Sequence, residues 1–141
     1  MPSTRLEFNN NGFVITGKDI DIKFNCSPNK FWDPIDQLYI ILIKALSELK
    51  NHQANIICYN DSKIIEELNG SIKTISDTSK ILRDTVLRKI IPTMKGFVFF
   101  EKRAVNIPPF RYKDPPVLLE KKINKAEKLK EQWFNGYHPS N

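Results

Sequence analysis

The chain has 141 residues, 40% hydrophobic and 27% charged, with a formal net charge of +6. That length fits one domain of ordinary size, and fifteen aromatic residues, nine of them Phe, exclude a disordered chain. No apolar run reaches the ~18 residues of a membrane span, no secretory pattern opens the sequence, and Cys26 and Cys58 lack the spacing of a disulfide framework or zinc site. The reading is one soluble domain over 1–141, cytoplasmic or in another reducing intracellular compartment, with no membrane partner.

Arg5-Leu6-Glu7-Phe8 alternates as a half-buried strand, and Asn-Gly at 11–12 turns it into Phe13-Val14-Ile15-Thr16. Gly17-Lys18 turns again into Asp19 to Phe24, with Ile20, Ile22 and Phe24 on one face. Asp33-Pro34 opens a helix through about Lys50: Asp33 caps it, Pro34 suits its first position, and Ile35, Leu38, Leu42, Ala45, Leu46 and Leu49 form its apolar stripe. Ile56-Ile57-Cys58-Tyr59 reads as a buried central strand, with Cys58 a small core residue. A short helix follows over Lys63 to Leu68, stopped by Asn69-Gly70. A longer one is predicted from Ser76-Asp77 to Ile91, with Ile81, Leu82, Val86, Leu87 and Ile90 on its apolar face. After Pro92 and Gly96, Phe97 to Phe100 reads as the last strand. A proline-rich connection spans Asn106 to Pro116, and an amphipathic, lysine-rich helix covers about 117–134 before a tail at 135–141. Glu48, Glu66 and Glu67 read as solvated helix positions. The fold class is α/β, ordered β-β-β-α-β-α-α-β-α, with helices packed on one mixed five-stranded sheet.

Charge divides unevenly. Residues 1–70 carry seven Lys/Arg against nine Asp/Glu, whereas 71–141 carry fifteen against seven. A basic half points to an anionic partner, nucleic acid first, or to a solvated helix surface. Arg103, Arg111, Tyr112 and Lys113 mix basic and aromatic side chains in the proline-rich connection, a composition that clamps and stacks on nucleic acid. Lys121, Lys122 and Lys125 add a lysine face on the terminal helix. That helix has two readings: a nucleic-acid contact, or a helix docked on the sheet through Leu119, Ile123, Ala126, Leu129 and Trp133. No glycine-rich phosphate loop and no Ser/His/Asp or Cys/His set can be assembled, His52 and His138 included.

The element order resembles the ribonuclease H fold. Ala54 to Gly70, an apolar strand ending in Asp61-Ser62 before a short apolar helix, is similar to the family's fourth strand and its following helix. Leu38 to Leu49 resembles the first helix, and Val98 to Asn106, with Arg103-x-x-Asn106, resembles the last strand. The resemblance implies Mg²⁺ or Mn²⁺ held by four carboxylates and hydrolysis of the RNA strand of an RNA–DNA hybrid. Carried over, Asp61 is the fourth-strand carboxylate; Asp36 and Asp114 are the nearest acids to two other positions, and Asp61 and Asp36 are the metal-ligand candidates. The first-strand position offers only Asn9, Asn10 and Asn11, and Gln37-Leu38 stand where a Glu is expected. Asp61-Ser62 also reads as an ordinary cap, and Asp36 as a first-turn acid favoured by the helix dipole. The sequence therefore supports a degenerate, nucleic-acid-binding ribonuclease H-like domain with little or no hydrolysis. Its alternatives are an active Mg- or Mn-dependent ribonuclease with shifted carboxylates, or a protein-interaction scaffold from a phage or mobile element. Partners are nucleic acid (RNA–DNA hybrid or duplex) or a protein.

Overall fold

A computed structural model describes residues 1–74 and 76–110. The chain is an α/β protein built on one five-stranded mixed sheet. Its elements are β1 (Ser3–Asn9), β2 (Gly12–Gly17), β3 (Ile20–Asn25), α1 (Pro34–Glu48), β4 (Asn55–Asn60), α2 (Ile64–Leu68), α3 (Asp77–Asp84) and β5 (Val98–Lys102). The sheet order is β3-β2-β1-β4-β5. β2 pairs antiparallel with both β1 and β3, while β4 pairs parallel with β1 and β5. The predicted terminal helix at 117–134 and tail at 135–141 lie outside the described residues. Within those residues no helix is long and apolar enough to cross a membrane.

Strand alternation sets the two faces. Leu6 and Phe8, their β2 partners Ile15 and Phe13, and Ile56 and Cys58 of β4 are buried on one face. The other face carries Arg5 and Glu7, Val14, Ile57 and Tyr59, and the exposed Phe99. The buried face packs on α1, whose Asp33 cap accepts hydrogen bonds from Ile35 N (2.8 Å) and Asp36 N (3.3 Å).

Helix α1 is buried on more than the stripe read from its sequence. Tyr39, Ile40, Ile41 and Ile43 are inaccessible as well, because α2, α3 and the turn after α3 cover the side away from the sheet. A helix sandwiched this way is apolar around most of its circumference. Each such side chain contributes roughly 1.5–3 kcal/mol by leaving water.

The predicted helix from Ser76 to Ile91 changes register along its length. α3 is α-helical, Thr85–Ile90 is a π turn, and Ile91–Thr93 is a 3₁₀ turn that places Pro92 among its first residues. The Thr85 hydroxyl donates back to Ile81 O at 2.9 Å, and Ile91 N–H donates to Val86 O. Leu82 and Val86, four apart, form the buried seam. Ile81 was expected on that seam and is instead 66% exposed, because it lies one residue, a ~100° rotation, away from Leu82.

Glu67, expected in solvent, is buried and accepts a hydrogen bond from the Tyr39 hydroxyl at 2.9 Å. Arg83 lies in the same cluster and contacts Thr74. Glu66 behaves as expected of a surface acid and pairs with Lys102 at 2.5 Å, which raises the pKa of that lysine. Glu48 pairs with Lys44.

Burial pushes the pKa of the Cys58 thiol and, together with Glu67, that of the Tyr39 hydroxyl well above their ordinary values of 9.0 and 10.0. Both groups stay neutral in the folded chain while the unfolded chain ionises. Their contribution is therefore fully present below about pH 9 and is lost as pH rises beyond it, by up to ~1.4 kcal/mol per pH unit for each group. Urea midpoints should fall between about pH 8 and 10.5, and Cys58→Ala, less stable throughout, should show the shallower fall. Parallel slopes for the two proteins would disprove this account.

Candidate functional site

In open α/β sheets ligands bind beyond the carboxyl ends of the parallel strands. At that end the β1–β2 turn, the close of β4 and the segment after β5 meet. The turn is Asn9-Asn10-Asn11-Gly12, and Asn11 N–H donates to Asn9 Oδ1 at 2.8 Å, a local Asx bond that shapes it. Asn10 Nδ2 donates to Pro34 O at 3.0 Å and ties the turn to the start of α1.

The two remaining amides point at the chain that leaves β5. Asn9 Nδ2 (3.2 Å) and Asn11 Nδ2 (3.0 Å) both donate to Ile107 O. Asn25, at the end of β3, donates to Pro108 O at 3.0 Å. On the β4 side, Asn60 Nδ2 donates to Phe8 O at 2.6 Å, its Oδ1 accepts from Ser62 N at 2.8 Å, and its carbonyl accepts from Arg103 N at 3.0 Å. The segment after β5 thus runs across the sheet end from the β5 edge to β3, with the Ile107 side chain buried beneath it. Ile107 and Pro108 present carbonyls, which need donors. An asparagine amide supplies one; an aspartate carboxylate has none to give.

Of the acids singled out in the sequence, Asp61 and Asp36 fall among the described residues. Asp61 is exposed just beyond β4, in the electrostatic field of Lys102. Asp36 is buried, and its Oδ1 accepts from the Ser79 hydroxyl of α3 at 2.5 Å, so it joins two helices. Gln37 is also buried, its amide donating to Asn29 O (2.6 Å) and Trp32 O (3.2 Å) while its oxygen accepts from Asn29 N (2.9 Å). Asp114 lies outside the described residues. Among the described residues, no three His, Cys, Asp or Glu side chains converge as a metal site. Among the described residues, the donor set at this end does not fit the pair of hard divalent cations implied by the resemblance: such ions require converging anionic oxygens, and Asn9, Asn11 and Asn60 turn N–H groups inward.

Arg103 is exposed, with its guanidinium 5.3 Å from the centre of the Tyr59 ring; Arg5, paired to Glu7 at 3.0 Å, lies 4.9 Å from the same ring. Arg111, Tyr112, Lys113, Lys121, Lys122 and Lys125 are outside the described residues. The structure adds exposed cations not singled out from sequence: Lys73, Lys80, Arg88, Lys89 and Lys95 are all exposed along α3 and its flanking turns, with Lys80 paired to Asp77 at 3.8 Å and Arg88 to Asp84 at 3.9 Å. The excess of eight Lys/Arg over three Asp/Glu in residues 71–110 was the available signal for them. His52 is structural, its Nε2 lying 2.7 Å from the Thr4 hydroxyl.

No protein-family model matches this sequence, and no curated protein does either. Among solved structures the chain is similar to the foamy viral protease–reverse transcriptase in complex with an RNA/DNA hybrid, with a TM-score of 0.38 and 14% identity. That likeness covers 82% of this chain and 17% of the viral one, so the chain spans less than a fifth of that protein's length.

Proposed function

We propose that residues 1–141 form one ribonuclease H-like domain that binds nucleic acid, an RNA–DNA hybrid or duplex, with little or no hydrolysis. The observation that carries this reading is the pair of asparagine amides spent on Ile107 O, where the resemblance implies a metal-binding acid. The sheet order β3-β2-β1-β4-β5, with antiparallel pairing confined to the first three strands, supports the fold assignment. The exposed cations from Lys73 to Lys95 support an anionic partner, as does Arg103. In this reading Arg111, Tyr112, Lys113, Lys121, Lys122 and Lys125 extend the basic surface, and Asp61 stands exposed ahead of α2 without binding metal.

The test is anisotropy of a labelled RNA–DNA hybrid across a salt series, beside a cleavage assay with Mn²⁺ and an Asp61→Asn control. About four phosphate contacts predict an affinity that falls roughly 10²-fold between 50 and 200 mM salt, with the hybrid left intact. Cleavage that disappears in Asp61→Asn would establish a ribonuclease with shifted carboxylates, Asp36 and Asp114 among them. Absence of both binding and cleavage would leave the protein-scaffold alternative.

A further inference from the structure

We propose that two copies of this chain join through the outer edge of β3, antiparallel about a two-fold axis at Ile22, so that their sheets run on into one. β3 is an outer strand of the sheet. Its pairing with β2 decides which of its backbone groups are already spent. Cys26 N–H donates to Asn11 O at 2.9 Å, and in an antiparallel ladder such bonded pairs recur at every second residue. Ile20, Ile22 and Phe24 therefore turn their N–H and C=O groups toward β2, while Asp21 and Lys23 turn theirs outward. Among the described residues, nothing hydrogen-bonds to those outward groups. The other outer strand, β5, is partly covered by α2: Asn69 Nδ2 donates to Phe100 O at 3.1 Å, and Lys102 pairs with Glu66.

Charge selects the occupant and its register. Asp21 and Lys23 are exposed on the same face of β3, and among the described residues neither has an ion-pair partner. A lone lysine on an edge wards off other strands. A strand that carries both signs two residues apart instead matches itself when reversed. With Ile22 opposite Ile22 of the second copy, Asp21 of each chain faces Lys23 of the other. Both residues present their backbone groups outward, so this register makes four backbone hydrogen bonds and two ion pairs. A slide of two residues either way sets Asp21 against Asp21 or Lys23 against Lys23, and like charges directly opposite destabilise a pair. A slide of one residue sets outward groups against inward ones and forms no ladder.

The apolar face agrees. Ile20 and Ile22 are half-buried at the rim of the core. In this register the two Ile22 side chains meet in a non-hydrogen-bonded pair, which brings side chains closer than a bonded one. Ile20 lies opposite Phe24, whose ring stacks on Phe13 at 5.4 Å. Apolar surface that a single copy leaves at its edge is thereby removed from water. Helix α1 packs over β1 and β2, so the α1 helices of two joined copies lie about 19 Å apart, four strand spacings. That exceeds the ~10–12 Å diameter of a helix, and the two copies clear one another. One strand pair is a small interface, so the dimer is weak and builds with concentration. This pairing is independent of whether the domain binds nucleic acid.

Sedimentation equilibrium of the full chain across a concentration series reads the balance of monomer and dimer. The proposal expects reversible dimers in the parent. Asp21→Lys sets Lys against Lys, and Lys23→Asp sets Asp against Asp, so each variant alone should dimerise roughly 10-fold or more weakly. Mixed in equal amounts, the two variants should pair with each other, and Asp21→Lys/Lys23→Asp should pair with itself, since both cases restore the ion pairs. Both side chains are exposed, so circular dichroism should be unchanged. Should a variant fail to fold, amide exchange in the parent decides: the Asp21 and Lys23 N–H groups gain protection as concentration rises. A parent that stays monomeric overturns the proposal, as do dimers that survive either single exchange. A mixture that stays monomeric, amides that exchange freely in the dimer, or dimers that form only with added oligonucleotide overturn it too.

Discussion

Gly12→Ala should destabilise the fold by about 4 kcal/mol or more, enough to unfold a marginally stable domain. Gly12 closes the β1–β2 turn with φ at 138°, a conformation that an L side chain adopts only under strain. A Cβ there would sit 1.8 Å from Phe24 O and 2.8 Å from its carbonyl carbon, both backbone atoms of β3. No rotamer change relieves that contact, so β2 and β3 must separate at Gly12↔Asn25. Backbone strain alone costs ~1–3 kcal/mol, and the lost strand pairing adds to it. Gly70 is the internal control. Its φ is also positive, at 76°, yet its Cβ position is open, so Gly70→Ala should cost only about 1 kcal/mol. Urea unfolding of both variants checks the contrast; a Gly12→Ala loss as small as that of Gly70→Ala would contradict it.

Replacing both donors in Asn9→Asp/Asn11→Asp should cost about 2–4 kcal/mol at neutral pH and free the segment after β5. Two amides now share the Ile107 carbonyl, which has two lone pairs to accept them. Carboxylates would turn acceptor oxygens toward an acceptor, leaving a buried carbonyl without its partners at roughly 1–3 kcal/mol per lost bond. The pH dependence has a definite sign. Carboxylates crowded beside a carbonyl and each other have raised pKa values, and on protonation they regain an O–H donor. The deficit of the variant against the parent should therefore shrink as pH falls toward about 4. Protease cleavage between 103 and 110 should accelerate at neutral pH and slow again in acid. A deficit that does not change with pH would mean that the amides do not hold this segment through donation. The same variant bears on function, since it restores acids where the resemblance implies them, and still leaves Asp36 engaged with Ser79.

The parts of the fold legible in the sequence are those whose causes are local. Alternation over 5–8, 13–16 and 19–24 marks the first three strands, because one buried face imposes period two. Asp33-Pro34 marks the start of α1, since the cap and its recipients lie within three residues. Cys58 reads as core from its apolar neighbours and is core. What tertiary structure alone decided involves partners far apart in the chain. Glu67 is buried because Tyr39, 28 residues earlier, offers a hydroxyl. Asp36 reads as a dipole-favoured surface acid until Ser79, 43 residues later, closes over it. Ile81 loses its place on the apolar face because the packing seam runs through Leu82 and Val86. At the sheet end, three consecutive asparagines read only as a turn with a missing carboxylate. Their reason is a carbonyl 96 and 98 residues away from the two that bind it. The sequence by itself thus determined which segments become strands and helices, since hydrophobic period and capping act within a few residues. Which polar groups are buried, and what they hold, was decided by the tertiary structure, because a buried donor or acceptor is tolerable only where the fold brings it a partner.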